Sequence, residues 1–211
     1  MADLQRTKAI LTSLEHIYGY AGQPLYKRLR KGFNVWVRGA EETQEWSERL
    51  HSFIRASEAI IKPTIIVRKR RVLRKNTLKR AFRPITATFL SRGQTFIGHS
   101  KANERLLNQL YDIRSSVEHI KDIMPAVRKA RGISGKEAFE FRALQCEILA
   151  SAIYSRILCN TGLRESFSTE RKVEGFWNRA EGKRQALWGD PVDLEIETRG
   201  QFLSQVAPDF Y

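Results

Sequence analysis

Residues 103–124 read NERLLNQLYDIRSSVEHIKDIM. Leu106, Leu110, Ile113, Val117, Ile120 and Met124 step 4-3-4-3-4 without a miss. That is the period of an amphipathic helix, not of a strand. Pro125 ends the run, because proline cannot continue the backbone ladder. The neighbouring segments repeat the same period, so this stretch predicts an all-α fold.

Downstream, Lys136 to Asn160 is a second long helix. Phe139, Ala143, Cys146, Ala150, Ile153 and Ile157 form one stripe, and Phe141, Leu144 and Ile148 form another. Apolar residues on two sides predict a central position in a bundle. Thr161 and Gly162 close it, and shorter helices are expected near 163–168, 169–179 and 180–188. Upstream, Glu41 to Ile61 carries Trp46, Leu50, Phe53, Ser57 and Ile60 at helical spacing and stops at Pro63. Residues 3–18 read as a first helix. Residues 19–40 read as irregular, with a short strand at 33–37. A second short strand is expected at 64–67, and a helix over 77–91, bent or broken near Pro84. Gly93 and Gly98 are read as loop.

The resulting architecture is a helical bundle with two short strands. Residues 1–40 are an N-terminal helix and irregular segment packed on the bundle. Residues 41–189 are the bundle, interrupted by an insert at 62–103, and 190–211 are a tail of mixed character.

The 211 residues carry 37 Lys plus Arg against 23 Asp plus Glu, a net charge of +14. The excess is local. Between Ala59 and Asn103 there is no acid and there are twelve bases, including Arg68, Lys69, Arg70, Arg71, Arg74, Lys75, Lys79, Arg80 and Arg83. A solvated face mixes signs, so this run predicts contact with nucleic acid, with an acidic protein as the competitor. Arginine outnumbers lysine 24 to 13, which suits two-pronged phosphate contacts. No apolar run approaches the ~20 residues of a membrane span, and the N-terminus lacks a secretory layout. Cys146 and Cys159 fall on one helix, roughly 20 Å apart, too far for a disulfide. The histidines show no metal-ligand spacing. The expectation is a soluble cytoplasmic protein without metal or cofactor.

Arg114 and His119 stand five residues apart on the helix first quoted. An imidazole that titrates near neutrality moves protons, and a guanidinium holds two phosphate oxygens. RNA brings its own nucleophile, the 2′-OH. At about 100° per residue, the two side chains point ~140° apart. A bend in the helix or a second protomer would bring them to one phosphate. Arg114 also has two candidate carboxylate partners, Glu58 and Glu118. Arg55 and Glu58 are read as an ion pair at i, i+3, His51 as a surface or packed histidine, and Trp46, Trp177 and Trp188 as core anchors. Trp36 is a candidate for stacking.

The segment around Arg114 and His119 resembles the R-x4-6-H helix of the HEPN superfamily. Residues 48–60 and 142–158 are similar to the helices before and after that motif, so the likeness covers roughly 41–189. The resemblance implies a helical bundle, a homodimer, and a metal-independent endoribonuclease whose composite cleft joins Arg114 and His119 of both protomers. Ser115 and Glu118 would support the site. A toxin or antiviral defence role is implied, with RNA as substrate and an acidic antitoxin or defence-system protein as partner. Many active members carry Asn, Asp or His after the arginine, where this chain has Ser115. That difference leaves open a non-catalytic HEPN-fold module that binds nucleic acid or an acidic protein. A third reading is a structural helical protein whose basic run binds an acidic partner.

Overall fold

The computed structural model describes residues 2–41, 45–62, 85–118 and 135–206, and every regular element among them is a helix. In chain order these are α1 Ala2–Gly19, α2 Lys27–Gly39, α3 Trp46–Ile61, α4 Ile85–Ile97, α5 Lys101–Glu118, α6 Gly135–Cys159, α7 Thr161–Ser166, α8 Glu170–Trp177, α9 Glu181–Trp188 and α10 Leu194–Val206. The expected all-α class is what the chain adopts.

The long helix α6 is the hub. It packs against α1, α2, α3, α4, α7 and α10. Its residues from Phe141 to Cys146 are buried without a break, as the two apolar stripes require. Cys146 is buried and Cys159 exposed, and both are free thiols. Burial pushes the Cys146 thiol far above its ordinary range, so it behaves as a small apolar core residue. Trp177 and Trp188 are buried against Phe96, with ring centres 5.8 and 4.4 Å away. Trp46 is half-buried, with the Arg49 guanidinium 4.5 Å from its ring centre.

Several local expectations are corrected. Residues 33–37 are not a strand; they lie inside α2. The buried face of α2 is Leu29, Gly32 and Gly39, with Phe33 and Trp36 beside it. Two of those positions are glycines and give no apolar signal, so the helical period is hidden. Trp36 turns inward, its indole N–H donating to Ser151 Oγ at 3.2 Å, so it is not a stacking platform. Helix α3 begins at Trp46, not Glu41. Gly93 lies inside α4, where a Cβ would come 3.0 Å from Leu107; it is small because α5 passes close by. The tail contains α10, started by Asp193, whose carboxylate accepts from the N–H of Glu195 and of Ile196 at 3.1 Å. The strand expected at 64–67 lies outside the described residues.

Many described arginines serve the fold. Arg30 donates to the carbonyls of Ile17, Gln23 and Leu25 at 2.7–3.0 Å, satisfying groups near the end of α1. Arg92 donates to the Ile61 carbonyl at 2.9 Å and pairs with Glu174 at 3.2 Å. Arg156 caps the carbonyls of Trp188 and Asp190. Within the described bundle, the high arginine count is partly a set of clasps between helices.

Candidate functional site

Arg114 is positioned by the start of α5 and by the face that this helix buries. Ser100 starts α5, its hydroxyl accepting from the Asn103 N–H at 3.0 Å, and the Asn103 side chain donates back to the carbonyls of Ile97 and Gly98 at 2.6 and 3.0 Å. This clamps α5 against α4. The buried face of α5 is then Leu107, Leu110 and Ile113, while Leu106 and Val117 are half-buried. The centre of that face is rotated by about 40° from the stripe read in the sequence, leaving Arg114 about 40° from it. Arg114 is therefore an inner residue, with 12% of its side chain exposed.

Helix α3 faces it with His51, Arg55 and Glu58, spaced 4 and 3 on one side of the helix. Arg114 Nη2 meets Glu58 Oε2 at 3.3 Å, and Nη1 pairs with Glu118 one turn later on α5. The guanidinium carbon lies 5.7 Å from the Tyr111 ring centre. The two carboxylates differ in setting. The Glu58 side chain is 11% exposed and that of Glu118 36% exposed. Burial pushes the Glu58 carboxyl up from its usual range, and Arg114 opposes that rise. The pair is thus an inner ion pair, in which Arg114 opposes only part of the cost of burying Glu58, with an outer, solvent-facing partner added. Glu58 pairs with Arg114 and not with Arg55, correcting the i, i+3 expectation; Arg55 is exposed and acts on Glu58 only through space.

His51, expected to be a surface or packed histidine, is half-buried on this face. Its Nε2 is buried with no hydrogen-bond partner among the described residues. Burial, then Arg114, then Arg55, lower its pKa, with Glu118 acting the other way. The signal for it was legible as a polar i, i+4, i+7 stripe on a helix otherwise read only for its apolar face. A base whose pKa is depressed by folding contributes stability that is full above its unfolded value of 6.5 and is lost as pH falls through that point. The urea midpoint of the wild type is expected to fall more steeply between pH 7 and pH 5.5 than that of His51→Gln. Parallel curves would show that His51 is not buried neutral.

Of the other expected site residues, Ser115 is half-buried and Glu118 exposed on the last turn of α5. His119 and the basic residues Arg68, Lys69, Arg70, Arg71, Arg74, Lys75, Lys79, Arg80 and Arg83 lie outside the described residues. No group of three metal-ligating side chains occurs among the described residues, and no described helix is long and apolar enough to cross a membrane. The chain matches no family model, no curated protein and no solved structure.

Proposed function

We propose that the chain is a metal-independent endoribonuclease of HEPN type, acting as a homodimer in a toxin or antiviral defence setting. The observation that carries this reading is the seat of Arg114. Its inner edge is anchored by Glu58 on another helix, and its outer edge already holds an exposed oxyanion, that of Glu118. A phosphate oxygen has the same charge and the same hydrogen-bonding need as that carboxylate oxygen. In the proposed reaction the 2′-OH attacks the adjacent phosphorus and His119 removes its proton. The bond from phosphorus to the 5′ oxygen breaks as that oxygen takes up the proton held by His119, which returns the imidazole to its neutral form. Arg114 holds the negative charge that builds on the phosphate oxygens. The basic residues from Arg68 to Arg83 raise the local concentration of RNA.

The test is incubation of chelator-treated protein with single-stranded RNA. Cleavage should persist in EDTA and leave 2′,3′-cyclic phosphate and 5′-hydroxyl ends. Loss of cleavage in EDTA, or 3′-hydroxyl ends, would contradict the proposal. A further expectation concerns Glu118. If it holds the phosphate position, Glu118→Gln removes a competitor worth up to about 1 kcal/mol. RNA should then bind about two- to fivefold more tightly; unchanged or weaker binding would remove Glu118 from that role.

A second reading is favoured by one feature: both terminal nitrogens of Arg114 are held by carboxylates. Together with Ser115, this suits a non-catalytic HEPN-fold module that binds nucleic acid or an acidic protein. Protein that binds RNA and leaves it intact over hours would establish that reading.

A further inference from the structure

Helix α2 holds five cations and no anion: Lys27, Arg28, Arg30, Lys31 and Arg38. Two of them work inside the fold. Arg28 pairs with Glu170 and donates to the Lys62 carbonyl, and Arg30 takes three carbonyls. The other three, Lys27, Lys31 and Arg38, are exposed. With exposed Asn34 they step 4, 3, 4 along one face, a row of about 17 Å at 1.5 Å per residue. The side chain of Tyr18, at the end of α1, reaches the middle of this row with its hydroxyl. Its hydroxyl donates to Asn34 Oδ1, and the residue is 37% exposed. Among the described residues no acid lies on the row; Glu170 pairs with Arg28, and Glu41 follows Arg38 by three residues.

A row of cations that pair with no acid among the described residues, joined midway by an aromatic side chain, is the chemistry of a single-stranded nucleic-acid track. The cations follow the backbone, and the ring offers a face on which a base stacks. The alternatives fit less well. A basic amphipathic helix binds a lipid surface by burying its apolar face there, but the apolar face of α2 is already used against α3 and α6. A protein interface centres on an apolar core with charge at the rim, whereas here the charge runs along the centre. We infer that the outer face of α2, with Tyr18, is a binding track for single-stranded RNA, distinct from the Arg114 site. Lys27, Lys31 and Arg38 contact phosphates, and Tyr18 stacks on a base.

This track needs no cleavage, so it stands or falls separately from the proposed nuclease. The experiment uses the full chain and a labelled 2′-O-methyl uridine 12-mer, which lacks the nucleophile. Binding is followed by fluorescence anisotropy across a range of salt, with circular dichroism melts to verify the fold. The triple variant K27E/K31E/R38E should weaken binding at least 30-fold at 100 mM salt. It should also flatten the slope of log affinity against log salt by about 2, as ~0.7 per phosphate contact predicts for three contacts on a single strand. Tyr18→Ala should weaken binding about tenfold, while Tyr18→Phe, which keeps the ring, should stay near wild type. A folded triple variant with wild-type affinity and slope would overturn the track. So would a triple variant that loses binding to vesicles of phosphatidylserine and phosphatidylcholine while holding RNA unchanged.

Discussion

Alanine at Gly32 is expected to destabilise the fold by ~3 kcal/mol or more, at the upper end of the cost of overpacking a core. At Gly32, α2 packs on its neighbours with no room for a side chain. A Cβ there would fall 1.8 Å from Tyr154 Oη and 2.8 Å from the Ala59 Cβ. Neither neighbour can yield easily. Tyr154 is 1% exposed, its hydroxyl donates to the Ala56 carbonyl at 2.8 Å, and its ring is flanked by Phe33 and Trp36. The helices must move apart or the tyrosine must give up its hydrogen bond. At 2–4 °C per kcal/mol for a chain of this size, Gly32→Ala should melt about 6–12 °C below wild type. The double variant G32A/Y154F should recover part of that loss, because it removes the oxygen that clashes; the two sites must couple. A Gly32→Ala protein that melts within 1 °C of wild type would mean that α2 does not pack at this distance.

The second large effect concerns Arg114, where structural and catalytic roles can be separated. Arg114→Gln is expected to lower cleavage at least ~10²-fold, the scale of losing one preorganised stabiliser of transition-state charge. It should also cost ~3 kcal/mol of stability, because Glu58 is left buried without its cation. The double variant E58Q/R114Q removes both charges at once. Its stability should return to within about 1 kcal/mol of wild type, while cleavage stays lost. Urea denaturation and a cleavage assay on the same preparations check both halves. If the double variant regains cleavage along with stability, Arg114 serves only the fold.

The sequence carried the helical class because most segments show their period openly. The run from Phe139 to Ile157 even announced its central place, and α6 occupies it. Legibility failed where a buried face is built from residues with no apolar signature. In α2 that face includes Gly32 and Gly39, so Phe33 to Val37 looked like alternation. In α10 a short helix is announced by Asp193 and acids in its first turn more than by any stripe. At the site, Arg114 and both of its carboxylates were readable from sequence, but the inner and outer partners were not told apart. That distinction depends on a rotation of α5 by less than half a residue step, set by how α4 and α5 are clamped at Asn103. His51 is readable as a packed histidine on a polar stripe, but that Arg114 acts on it depends on how α3 and α5 pack together. The arginine count also misled in part, since Arg30, Arg92 and Arg156 bind backbone carbonyls of this chain.

The most direct measurement is the rate at which His119→Ala cleaves a single-stranded RNA in EDTA, set beside wild type at equal concentration. Loss of the proton-transfer group should lower the rate by ~10²–10⁴-fold while RNA affinity stays within about threefold of wild type. Cleavage by His119→Ala at the wild-type rate would contradict the account.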